Sequence, residues 1–191
     1  MVKDRQIQKT KVAIYNAFIS LLQENDYSKV TVQDVIELAN VGRSTFYFHY
    51  ESKEVLLKEL CEDLFHHLFK QGRDVTFEEY LVHILKHFEQ NQDSIATLLL
   101  SDDPYFLLRF RGELEHDVYP RLREEYITKV DIPEGFLKQF LLSSFIETLK
   151  WWLHQRQKMT AEDLLKYYLT MVERYIIESW EILLFHQRYQ R

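Results

Sequence analysis

Four glycines and three prolines are all the punctuation in a chain of 191 residues. A sheet-rich fold of this size needs many tight turns, and such turns draw on Gly for positive φ and on Pro for a preset φ. With so few of either, the expected class is all-α: long helices joined by short connections. Hydrophobic residues at 46% and charged residues at 28% fit a globular protein with an ordinary core. The single cysteine, Cys61, excludes an intrachain disulfide and a Cys-based zinc site. Met1–Gln6 leads into no apolar signal core, and no run approaches eighteen apolar residues, so a cytoplasmic protein without membrane contact is expected.

Apolar spacing places the helices. Ile14, Ala17, Phe18, Leu21 and Leu22 mark one buried face of a helix from about Arg5 to Gln23. Thr31 suits an N-cap for a short helix carrying Val32, Val35, Ile36 and Ala39. Ala39-Asn40-Val41-Gly42 reads as a tight turn, with Asn40 able to adopt the left-handed conformation. Arg43–Tyr50 is a second short helix. A long one follows from Ser52 to about Gln71, with Val55, Leu56, Glu59 or Leu60, Leu64 and Leu68 inward and Cys61 just off that stripe. Behind Gly72 come Phe77–Asn91, Asp93–Leu100, a block from Pro104 to Tyr126 with Gly112 and Pro120 as expected breaks, Pro133–His154, and Thr160 to about His186. Thr160-x-x-Asp163 resembles a capping box at the last start.

The net charge of −6 does not suggest a nucleic-acid binder, but its distribution permits one. Residues 1–60 carry eight Lys/Arg and eight Asp/Glu, so all the net negative charge lies behind them. A neutral head can still set a few cations on phosphates. Physically, residues 27–57 are two short helices joined by a turn and braced by longer helices. That is a helix-turn-helix, in which the second helix enters the major groove. Val32, Val35, Ile36, Ala39, Val41, Phe46 and Tyr50 can fix the angle between the two helices. Arg43, Ser44, Thr45, Tyr47 and His49 are left to meet base edges and phosphates, with Thr31 and Lys53 at helix starts.

These residues resemble the DNA-binding domain of the TetR family of bacterial regulators. The features are Thr31 opening the second helix, Ala39-Asn40-Val41 across the turn, Phe46-Tyr47-Phe48-His49-Tyr50 closing the recognition helix, and Lys53 followed by Val55-Leu56. The resemblance implies base and phosphate contacts from Arg43, Ser44, Thr45 and Tyr47, and backbone contacts from Thr31, His49 and Lys53. Two positions depart from the pattern: Asp26 stands where the family usually has Gly, and Gly42 where a Ser or Thr usually caps the recognition helix. The resemblance divides the chain into a helix-turn-helix domain at 1–51 and a ligand-sensing and dimerisation domain at 52–191.

It further implies a homodimer on palindromic double-stranded DNA, joined by the last two long helices. The broad apolar faces there point the same way, with Leu141, Ser144, Phe145, Thr148, Trp152, Tyr168, Met171 and Tyr175 as the expected interface. A hydrophobic ligand pocket is expected around Phe88, Tyr105, Phe106, Phe110 and Trp151. The C-terminal half also resembles a low-GC Gram-positive branch of the family through Phe110, Pro133, Trp151-Trp152-Leu153 and Met159-Thr160-x-Glu162-Asp163. One type in that branch answers to a protein co-regulator. The resemblance thus implies a repressor released by a small hydrophobic ligand, with a coregulator or activator controlled by a protein partner as the alternative.

Other chemistry finds little support. His83 and His87 share a helix face with Glu79, but i, i+4 histidines arise often by chance, and no metal or cofactor is expected. Without a Gly-rich phosphate loop or a nucleophile elbow, an enzyme is not expected.

Overall fold

The computed structural model of the protein describes residues 2–69, 75–90, 96–127, 132–155 and 159–174, with side chains from residue 5 onward. Every regular element among the described residues is helical. The described residues form two compact units, one from those within 1–67 and 91–109, the other from those within 68–90 and 110–191.

In the first unit, α1 (Val2–Glu24) buries Ile14, Ala17, Phe18 and Leu22, the expected face. The corner after it closes with backbone bonds from Asn25 to Leu21 and from Lys29 to Asp26, both 2.9 Å. None of its residues takes positive φ, so Asp26 fits at the position where the resemblance leads one to expect Gly, and it pairs with Lys29 at 2.6 Å. Two short helices, α2 (Val32–Ala39) and α3 (Arg43–His49), pack on each other, and α2 lies along α1.

The next helix, α4 (Lys53–Phe69), turns inward Leu56, Leu57, Leu60, Cys61, Phe65 and Leu68. This differs from the sequence expectation: Val55 is exposed, Leu64 is half-covered, and Cys61 lies on the buried stripe, not beside it. Apolar residues occupy more than half of this helix's circumference, so periodicity defines a broad face and the neighbours choose its centre. One neighbour is α1, where Lys11 meets Glu59 at 2.5 Å; another is Phe106, whose ring lies 5.3 Å from that of Phe65. The short α6 (Thr97–Leu100) buries Leu98 and Leu99 and packs on α1.

Asp102 then adopts the left-handed conformation (φ 54°), and Asp103 starts α7 (Pro104–Glu113). Its carboxylate accepts the Phe106 N–H at 2.8 Å and is only 4% exposed. Pro104, lacking an N–H, occupies the first turn, where that donor has no partner in any case.

In the second unit, α5 (Phe77–Gln90) begins with a capping box. The Thr76 hydroxyl accepts from Glu79 N at 3.2 Å, and the Glu79 carboxylate accepts from Thr76 N at 2.9 Å. It buries Phe77, Tyr80, Leu81, Ile84, Leu85 and Phe88 and packs on α9 (Glu134–His154) and α10 (Ala161–Val172), while the Phe77 ring meets Tyr126 at 6.0 Å and the Phe88 ring meets Phe110. Thr160 caps α10 by accepting from Asp163 N at 3.1 Å.

The block after Pro104 breaks differently from the sequence expectation. Gly112 lies inside α7 with open space around it. The irregularity is a π-helical turn at Leu114–Val118, where Tyr119 N donates to Leu114 O, before α8 (Tyr119–Tyr126). Pro120 explains it: its ring crowds the carbonyl four residues back and supplies no N–H, so the preceding turn widens by one residue. Expected features at Gln71–Gly72, at Asn91–Asp93 and from Tyr175 to His186 lie outside the described residues. None of the described helices is long and apolar enough to cross a membrane.

Candidate nucleic-acid interface

The corner between α2 and α3 is set by local chemistry. Thr31 caps α2 in a capping box with Asp34. Its hydroxyl accepts from Asp34 N at 3.2 Å, and the Asp34 carboxylate accepts from Thr31 N at 2.8 Å and the Thr31 hydroxyl at 2.7 Å. The Thr31 hydroxyl and backbone N–H hold the Asp34 carboxyl below the usual range. At the other end Asn40 sits at φ 52°, ψ 49°, while Val41 N donates to Ile36 O at 3.2 Å. Asn tolerates that left-handed position, which ends the helix within one residue.

Gly42 then opens α3 in extended conformation without a side-chain cap. A Cβ there would meet only Thr45 Oγ1 at 3.5 Å and Ser44 Oγ at 3.9 Å, so the missing Ser or Thr is not excluded by space.

One side of α3 is anchored. Phe46 is fully buried and Tyr50, next after the helix, nearly so, with ring centroids 5.8 Å apart; Tyr15 of α1 stands 6.1 Å from Tyr50. The opposite side presents Arg43, Ser44 and Tyr47, exposed, with Thr45 and His49 half-buried. The Arg43 guanidinium lies 5.7 Å from the Tyr47 ring centre and donates to Gln33 Oε1 of α2 at 3.3 Å. Phe48 is 73% exposed beside His49, a large apolar group on the presented side in addition to the expected contact residues.

Lys53 does something the sequence did not suggest. Its ammonium donates to the carbonyls of Val30 at 2.7 Å and Tyr27 at 3.0 Å, and lies 4.4 Å from the Tyr27 ring centre. It ties the start of α4 to the segment entering α2, and at most one of its three donors is left over for a phosphate.

The five residues expected to line a ligand pocket do not form one site in either unit. Tyr105 and Phe106 belong to the first, Phe106 packed on Phe65. Phe88 and Phe110 belong to the second, in edge contact at 5.3 Å. Phe88, Phe106 and Phe110 have no accessible surface, so no water-sized space adjoins them. Trp151 lies half-exposed on α9.

The expected dimer residues divide as well. Leu141, Phe145, Trp152 and Tyr168 are covered within their own unit. The Tyr168 hydroxyl donates to Leu141 O at 2.8 Å, and Trp152 Nε1 donates to Met159 O at 2.8 Å. Ser144, Thr148 and Met171 line an open apolar groove of about 560 Å³ between α9 and α10, with Phe140, Trp151, Leu164 and Tyr167, and the largely buried Tyr168 also borders it. Five large apolar side chains on these helices remain exposed: Phe136, Phe140, Trp151, Tyr167 and Met171. Tyr175 lies outside the described residues. The His83 and His87 rings are 6.1 Å apart, but no group of three metal-ligating side chains occurs among the described residues.

Comparison with known proteins agrees with this architecture. Residues 10–60 match the model for bacterial regulatory proteins of the tetR family, and residues 75–174 match that for a transcriptional regulator C-terminal region. A TetR transcriptional regulator from Streptococcus agalactiae, known as a crystal structure, is 96% identical. It matches with a TM-score of 0.83 over 91% of this chain and 99% of its own. The dhaKLM operon transcriptional activator DhaS of Lactococcus lactis is 24% identical over 69% of this chain and 72% of its own length. A TetR-family protein from Syntrophomonas wolfei shares the fold at 18% identity, with a TM-score of 0.65 over 89% of this chain and 96% of its own. These relatives are regulators, not enzymes, and TetR-family regulators bind DNA and act as dimers. With both halves matched, the chain belongs to the TetR family of DNA-binding transcriptional regulators.

Proposed function

We propose that this protein is a homodimeric regulator that reads a palindromic operator with α3. The observation carrying this reading is the exposed row of Arg43, Ser44 and Tyr47 on a helix whose other side is locked into the core by Phe46 and Tyr50. A guanidinium at the first residue of the helix can pair with both acceptors of a guanine, and the hydroxyls of Ser44, Thr45 and Tyr47 reach base edges or phosphates. Thr31 and His49 flank that row and meet the backbone. Lys53 acts through the corner it ties together.

The second copy covers the α9–α10 groove. Five exposed large apolar groups on two adjacent helices exceed what a monomer leaves uncovered without a purpose, and a four-helix interface buries them. Twofold symmetry then demands half-sites about one helical turn, or a multiple, apart.

Control has two modes in view. A repressor released by a small hydrophobic ligand needs an enclosed space, about 300–1,000 Å³ in typical pockets. Phe88, Phe106 and Phe110 leave none beside them. That packing favours the second mode, a co-regulator or activator answering to a protein partner, and the relative named as a transcriptional activator is in keeping with it.

The paired substitution Phe140→Glu and Met171→Glu tests the dimer. Sedimentation should give a monomer of unchanged helicity whose operator affinity falls at least tenfold. A dimer like the parent protein would reject this face.

A further inference from the structure

Gln33, a residue of α2 that the family motif leaves unassigned, is joined to both Glu37 and Arg43. Gln33 Nε2 donates to Glu37 Oε1 at 2.7 Å, and Arg43 Nη1 donates to Gln33 Oε1 at 3.3 Å. Positions 33 and 37 are one helical turn apart on the exposed side of α2. The carboxylate of Glu37 accepts only, so it fixes which way the Gln33 amide points: nitrogen toward Glu37, oxygen toward Arg43. The guanidinium is thus held on one edge by an oriented carbonyl, with the Tyr47 ring 5.7 Å away. A free arginine side chain has much rotamer entropy to lose on binding, and one already held loses less.

We propose that Gln33, oriented by Glu37, is a positioning residue for Arg43. It presents the remaining edge of the guanidinium to the groove and so sharpens discrimination at the base pair Arg43 reads. The inference rests on the reading of α3 as the recognition helix. A carboxylate at position 37 alone could not serve, because an ion pair made directly with Arg43 would compete with the base for the same donors. The amide between them transmits the orientation and leaves the guanidinium's charge to the DNA.

The test is a double-mutant cycle with the full-length protein on a duplex it selects from random sequence, and on single-base variants of that duplex. Gln33→Ala should weaken binding to the selected duplex three- to tenfold and reduce discrimination at one base pair per half-site. The salt slope and the thermal midpoint should not change. In an Arg43→Ala background, Gln33→Ala should have no further effect, and Glu37→Gln, whose amide can offer Gln33 either a donor or an acceptor and so no longer fixes its direction, should lose part of the discrimination. An equal loss from Gln33→Ala with and without Arg43 would overturn the proposal, because Gln33 would then be touching DNA itself. Unchanged discrimination in Gln33→Ala, where Arg43→Ala is impaired, would overturn this inference alone. An unimpaired Arg43→Ala would overturn it together with the assignment of Arg43.

Discussion

Lys53→Met separates two accounts of a residue that the family motif associates with DNA. Methionine keeps the length and apolar stem of lysine and removes the ammonium. In the structure that ammonium holds the Tyr27 and Val30 carbonyls and faces the Tyr27 ring. Hydrogen bonds from a charged donor contribute about 1.5–3 kcal/mol each where water is excluded. Lys53 is half-buried, so water recovers part of that, and about 1 kcal/mol per bond is the better figure. A partly exposed cation over an aromatic face adds about 0.5–1 kcal/mol. The expected loss is therefore about 2–3 kcal/mol, seen as a lower urea midpoint by circular dichroism and a thermal midpoint reduced by about 4–12 °C for a chain of this size. Binding should weaken only as far as the corner loosens, and the dependence of log affinity on log salt should keep its slope. A phosphate contact would give the reverse: an unchanged midpoint and a slope smaller by about one per Lys53. That result would refute the clasp.

Two further outcomes concern the same unit. Asn40→Ala puts a less tolerant residue at φ 52° and should lower stability by about 1 kcal/mol, whereas Asn40→Gly should match or exceed the parent protein; urea titration of both checks it. Burial pushes the Cys61 thiol up to about 12, so the native protein near pH 8 should label with a thiol reagent orders of magnitude more slowly than the urea-unfolded chain. The sign for stability follows. The fold favours the neutral thiol, so stability is retained below the ordinary thiol value near 9 and falls as pH rises above it.

The sequence made the helical class and the reading head legible because both rest on local rules. The scarcity of Gly and Pro, the cap at Thr31 and the left-handed preference of Asn40 each act within a few residues, and the structure places Thr31 and Asn40 as those rules require. What it obscured depends on tertiary partners. On α4 and α9 apolar residues spread round most of the helix, so spacing could not say which arc faces the unit's own core. Leu141, Phe145 and Trp152 turned inward, and Phe136, Phe140 and Trp151 were left out. Aromatic richness at Phe88, Phe106 and Phe110 likewise could not separate a pocket from solid packing. The ties from Lys53 to Val30 and from Gln33 to Arg43 span 23 and 10 residues, and no local periodicity encodes either.

The central claim is that α3 reads DNA with Arg43 at its head. Affinity measured against salt, for the parent protein and Arg43→Ala on a selected duplex and a scrambled one, tests it most directly. The account predicts a selected duplex bound at least about a thousandfold more tightly than the scrambled one. It also predicts a slope corresponding to about 6–10 phosphates, and a loss of about 1–3 kcal/mol on the selected duplex alone for Arg43→Ala. Equal binding to both duplexes, or an Arg43→Ala variant as selective as its parent, would contradict it.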